Sequence, residues 1–158
     1  MLKIKKERIF VTAFFLFPVL FMNFVDVSLA TTATNQLEMN HKNVLKSQAH
    51  LIISSQISAF GKSDIDKAYS FASPFIKSKF NTAENFGEMV RFGYPMIWAP
   101  KEYKFLEFNL FNDSLIQRVL FIDAQERIFM FDYELKKYDS GDWLINGVFP
   151  VQSSSSGA

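Results

Sequence analysis

From Leu45 to Phe60 the apolar residues Leu45, Ala49, Ile52, Ile53, Ile57 and Phe60 recur at intervals of three and four, the stripe of an amphipathic helix, and Gly61 closes it. Ser63 then introduces DIDKAYSFA, whose Asp64 and Asp66 fall in a first helical turn, where carboxylates suit the positive end of the helix dipole. This second, shorter helix is expected to turn Ile65, Ala68, Tyr69 and Ala72 inward. Ser73-Pro74 reads as a cap followed by proline at the first helical position, and Thr82 caps a further helix with Phe86, Met89 and Val90 on one side. After Pro100 the period changes to two. The runs EYKFLEFNLF, IQRVLFID, RIFMFDYELKKY and WLINGVFPV are rich in aromatic and β-branched residues and are separated by NDS, AQE and DSGD, which are turn compositions. Connections this short permit only antiparallel pairing, because a parallel crossover needs about a dozen residues or more. The predicted fold class is therefore α+β, with N-terminal helices packed on a curved antiparallel four-stranded meander sheet.

The ends of the chain carry a different pattern. MLKIKKER holds four basic residues and is followed by an almost uncharged stretch from Ile9 to Val25, the basic and apolar regions of an export signal. The small residues Ser28 and Ala30 in DVSLA suit a peptidase, so residues 1–30 read as a cleavable signal peptide and the protein as periplasmic or secreted. The alternative is an uncleaved N-terminal membrane anchor, for which Pro18 and Asn23 make the apolar stretch a poor span. Residues 31–43, TTATNQLEMNHKN, show no convincing period and read as a flexible polar linker. Residues 44–152 form one α+β domain, and 153–158, SSSSGA, a disordered tail.

Removing the signal leaves 128 residues with 13 Lys+Arg and 14 Asp+Glu, a near-neutral chain without the basic footprint that nucleic acid requires. A domain of this size buries roughly two thirds of its unfolded surface and needs no staples. That agrees with the absence of Cys, which also removes thiol nucleophiles and thiolate metal sites.

Candidate chemistry is sparse. His41 and His50 are the only histidines and form no metal-binding pattern, and no nucleophile elbow, phosphate loop or dinucleotide fingerprint occurs, so no metal and no cofactor are expected. Asn112-Asp113-Ser114 matches a glycosylation sequon, a weak signal in a turn. His50 sits mid-helix beside the inward stripe, as a solvent-facing or partly packed residue rather than a base. Asp132 and Glu134 share one face of the third strand, a spacing open to acid-base work or to a plain solvated face. VLFI at 119–122 is apolar on both faces and predicts a central strand covered twice, by helices on one side and by a dimer partner or an N-terminal helix on the other.

At MVRFGYP, residues 89–95, Gly93 stops a helix and Pro95 forbids its resumption. Tyr94 before proline is pushed toward extended backbone, and its ring is expected to project from the corner into whatever the helices and sheet enclose. Trp98 flanks the same corner. Both aromatics serve equally as plugs of the core, polar tip bonded.

The ordered combination QISAFGKSDIDKAYSFASPFIKSKF, MVRFGYP and GDWLINGVF resembles a bacterial family, domain of unknown function family 4864, over roughly Ile52 to Phe149. Its most specific pieces here are Phe71-Ala72-Ser73-Pro74 and Met89-Val90-Arg91 with Gly93-Tyr94-Pro95. The resemblance implies an often exported protein and carries no catalytic residue across. The order of elements is also similar, at the level of fold analogy, to the nuclear transport factor 2-like superfamily, which implies a cone-shaped domain with a pocket at its mouth.

Three functions follow from these expectations. The first is a non-catalytic periplasmic module that holds a small apolar ligand or a partner segment, with Arg91, Tyr94, Trp98, Phe131, Tyr133 and Trp143 as candidate pocket residues; the 13 Phe of the mature chain motivate it. The second is a structural protein that forms a homodimer through its sheet. The third is an acid-base isomerase or dehydratase using Asp132 with Tyr94 or Tyr133, against which the alternation of Asp132 and Tyr133 already argues.

Overall fold

The computed structural model describes residues 24–152. The helices are α1 (Phe24–Gly61), α2 (Ile65–Ser70), α3 (Pro74–Phe80), α4 (Ala83–Gly93) and α5 (Pro95–Trp98); the strands are β1 (Glu102–Phe111), β2 (Ser114–Ile122), β3 (Ile128–Lys137) and β4 (Trp143–Pro150). The strands pair in the order β1-β2-β3-β4, antiparallel throughout, so the α+β meander expected from the change of period is the observed architecture. The basic region of the expected signal and its apolar region up to residue 23 lie outside the described residues, as does the tail 153–158. Among the described residues no helix is long and apolar enough to cross a membrane. The chain divides into one unit ending at Leu37 and another beginning at Glu38, and the second holds the short helices, the sheet and the core.

Residues 31–43, expected to be an irregular linker, are helical and belong to α1. The stretch contains neither Gly nor Pro and includes good helix formers in Leu37, Glu38, Met39 and Lys42, so helix continues where nothing is buried. The apolar period that begins at Leu45 marks where α1 starts to bury side chains, not where it starts to coil.

Helices α2, α3 and α4 owe their starts to side-chain caps. Asp64 accepts from the Lys67 N–H at 3.1 Å, Ser73 from the Ile76 N–H at 3.3 Å and Thr82 from the Asn85 N–H at 3.2 Å. Helix α2 is shorter than its apolar spacing suggests. It ends at Ser70, and Ala72, expected on its inward face, instead forms a parallel bridge with Ile145 on the β4 edge. The Ser73 N–H donates to the Ile145 carbonyl at 2.8 Å and the Ile145 N–H to the Phe71 carbonyl at 2.9 Å. Phe71-Ala72-Ser73 thus covers part of an edge strand, which otherwise exposes a row of unpaired backbone groups.

On the sheet's inner face Leu115, Val119 and Phe121 of β2, Phe131, Tyr133 and Leu135 of β3 and Ile145 of β4 are buried in one cluster with Ala49, Ile53, Ile57 and Phe60 of α1. Leu120 and Ile122, on the other face of the doubly apolar strand, are half-buried. That outer face also carries polar pairs. Arg118 donates to both oxygens of Asp132, at 2.8 and 2.9 Å, and Glu134 accepts from Ser114 at 2.8 Å and from the Asn146 amide at 2.9 Å.

At the β1 end the sheet is irregular, with a register shift between Phe105 and Phe108. The freed carbonyls of Leu106 and Glu107 accept from the side-chain amide of Gln117, which is fully buried, at 3.3 and 3.2 Å. Because that nitrogen must donate, the Gln117 Oε1 accepts, and the Nε2 of His50, 3.0 Å away, is the protonated ring nitrogen. The His50 ring stacks on Phe105 with centroids 3.8 Å apart, so the residue is partly packed, as the sequence suggests. Burial lowers its pKa, the bond to Gln117 opposes the shift and Lys46 adds to it.

Candidate functional site

The other end of the inner face is hollow. A cavity of about 350 Å³ lies between the helices and the β3–β4 side of the sheet, at the lower end of the range for small-molecule sites. Gln56 and Phe60 reach it from α1, Phe75, Ile76, Lys79 and Phe80 from α3, and Phe86, Met89 and Val90 from α4. Tyr94 and Ile97 close it at the corner, and Tyr133, Ile145 and the run 146–149 form its sheet wall. Phe75 and Phe149 are each 55% exposed and Lys79 is exposed as well, so the mouth opens between α3 and β4. Phe60, Tyr133 and Ile145 are buried at its floor.

The sequence builds this opening in two steps. Phe71-Ala72-Ser73 pairs with Ile145, and Pro74 then takes the chain into α3, away from the edge. Farther along, the Val151 N–H donates to the Met130 carbonyl, which puts Val148, three residues earlier in the alternating ladder, at a position whose N–H and C=O face the free edge. Beside it, a Cβ on Gly147 would lie 2.5 Å from the Phe149 ring, so the ring occupies space that any other residue would fill.

Two polar side chains of the wall are engaged. Asn146 donates to Glu134 and accepts from Ser73 and Tyr138, each at 3.1 Å, while the Gln56 amide donates to the Ala68 carbonyl at 3.2 Å. Glu134, on the far side of Asn146, is desolvated, which raises its pKa, yet the bonds from Asn146 and Ser114 and the charge of Lys136 outweigh that and hold it below the usual carboxylate value. Tyr133 is different. Its hydroxyl is completely buried and, among the described residues, has no hydrogen-bond partner, and burial pushes its pKa far above the usual tyrosine value. A buried polar group left in that condition costs about 1–3 kcal/mol.

Of the six residues expected in the pocket, Tyr94 and Tyr133 line it. Phe131 stands behind Tyr94, edge to face at 5.8 Å between centroids. Arg91, Trp98 and Trp143 do not line the cavity. Arg91 is exposed on α4 with its guanidinium 5.8 Å from the Trp98 ring, Trp98 packs on Phe60 at 5.4 Å, and Trp143 is half-buried against the core. The helix α3 face and the Gly147-Phe149 pair went unnoticed in the sequence. The one local signal for them was the cap Ser73-Pro74, which predicts the helix but not its distance from β4. The acid-base set is not assembled either, since Asp132 is tied to Arg118 on the outer face and Tyr133 points inward. Among the described residues no group of His, Asp and Glu is placed to hold a metal ion.

The model of one family, Domain of unknown function (DUF4864), matches residues 42–158. The chain belongs to this family. No curated protein matches it. The matched span takes in every DUF4864 segment singled out above. Within this DUF4864 domain, Phe71-Ala72-Ser73-Pro74 is the piece that caps the β4 edge and launches α3, and Met89, Val90 and Tyr94 are cavity wall.

Proposed function

We propose that this protein is an exported, non-catalytic module that binds a small apolar ligand in the cavity between α3, α4 and β4. The observation that carries the reading is the combination of an apolar wall with a buried, unpartnered Tyr133 hydroxyl. A folded core normally closes such a space and pairs such a group, because voids and orphaned donors both cost stability. A ligand that fills the space removes the cost of the void. Export rests on the basic and apolar N-terminal pattern, and kinship with the nuclear transport factor 2-like superfamily on the order of helices and meander; both are part of the proposal.

The test is a titration of the full chain with N-phenyl-1-naphthylamine, a neutral apolar fluorophore, against the variant Val148→Trp, which builds an indole into the cavity from its sheet wall. Saturable enhancement in the wild type and its loss in a variant that melts at the same temperature or higher is the expected result. Equal response of the two proteins sinks the reading.

A second reading has its own observation. Ile116, Leu120, Ile122 and Met130 lie half-buried on the outer face of the sheet, which suits a homodimer formed there. Sedimentation equilibrium showing a monomer at micromolar concentration removes it.

A further inference from the structure

We infer that the ligand is an amphipathic monocarboxylate, its apolar body in the cavity and its carboxylate at the mouth beside Lys79. The inference rests on the binding reading above and adds the charge and orientation of what is bound.

Among the described residues Lys79 is the only charged side chain in the lining. Its ammonium lies 5.1 Å from the centroid of the Phe75 ring, and Phe75 is itself part of the mouth. Among the described residues no carboxylate is within ion-pair distance of it. Glu134, bonded to Asn146 of the wall, has its oxygens taken by Ser114, Asn146 and Lys136. The site therefore presents one uncompensated positive charge at its entrance and none inside. A cationic ligand meets repulsion there, a neutral one gains nothing from Lys79, and a monoanion gains an ion pair on the rim of a low-dielectric space.

Orientation follows from the same placement. The walls formed by Phe80, Phe86, Met89, Val90 and Ile97 offer no partner for an ionised group, and burying an unpaired carboxylate among them is prohibitive. The charged end thus stays at the mouth, and the apolar body takes the interior. Phe75 and Phe149, exposed on opposite sides of the opening, flank the point where head and body meet.

The probes are decanoate and decan-1-ol, which share a chain length and differ in the charged head, each titrated into the full chain by isothermal calorimetry at low and moderate salt. Decanoate is expected to bind about fivefold more tightly than decan-1-ol at low salt, the scale of an exposed ion pair, and the advantage is expected to shrink with salt. The substitution Lys79→Gln is expected to abolish the advantage by weakening decanoate alone, and Lys79→Arg to restore it. Equal affinities for acid and alcohol, or a decanoate preference that survives Lys79→Gln, overturn this inference and leave the apolar binding reading standing. If neither probe binds while N-phenyl-1-naphthylamine does, the amphiphile class is wrong; if none of the three binds, the pocket reading itself fails.

Discussion

The two ends of the sheet's inner face solve the same problem in opposite ways. At the β1–β2 end a bulge frees the carbonyls of Leu106 and Glu107, and the chain answers with Gln117, which donates to both and accepts from His50, whose ring is pressed against Phe105. At the β3–β4 end a space of about 350 Å³ is left beside Tyr133, whose hydroxyl has no partner among the described residues. In one small domain the buried polar groups are thus satisfied where the fold is closed, whereas beside the cavity Asn146 and Gln56 are satisfied and the Tyr133 hydroxyl, among the described residues, is not. The difference marks the β4 end as the place where stability has been given up for something else.

The contrast is sharpest when a polar group is removed from each end. Replacing Gln117 by Ala orphans two carbonyls and opens a hole in a fully buried site, so a loss of about 3 kcal/mol is expected in urea denaturation. A loss under about 1 kcal/mol would mean that the bulge is held by other means. Replacing Tyr133 by Phe has the opposite sign. Removing a hydroxyl with no partner is expected to raise stability by about 1 kcal/mol, and a measured loss would show that the group has a partner in solution.

The smallest effect separates the ends by pH. His50 has its pKa lowered in the folded state by burial, so its neutral form is the one the fold favours. The stability this contributes is present above the unfolded value near 6.5 and is lost as pH falls through the lower folded value. Substituting His50 by Phe, which keeps the stack on Phe105, is expected to flatten the melting temperature between pH 7 and 5, by a few degrees at most. An unchanged slope would place the acid sensitivity elsewhere, with Glu134 as the next group to examine, because its depressed pKa also removes stability as pH falls through the folded value.

Much of the fold was legible because it is written in period. The stripe from Leu45 to Phe60 and the alternation of Phe129, Phe131, Tyr133 and Leu135 each state which face is buried. The helical course of residues 31–43 was not legible, since the side chains of residues 32–43 are exposed and an exposed helix needs no apolar period. Nor was the shortness of α2, where pairing of Ala72 with Ile145, remote in sequence, wins over continuing the helix. The candidate site divides along the same line. Tyr94 could be placed because two helix stops bracket it, and Tyr133 because alternation turns it inward. Phe75, Lys79, Gly147 and Phe149 escaped because the gap between α3 and β4 is set by tertiary docking alone. Trp98 flanks the same corner and Trp143 belongs to the chain's supply of aromatics, but position and composition do not say which surface a ring meets, and both pack against the core rather than in the cavity wall.

The central claim is that the hollow end is occupied in the working protein. Native mass spectrometry of the full chain, purified gently from its own host alongside Val148→Trp, tests it most directly. The account predicts a reproducible extra mass on the wild type, lost on unfolding and absent from the variant. Two proteins that both fly at their bare masses would contradict it and make the cavity a packing defect rather than a site.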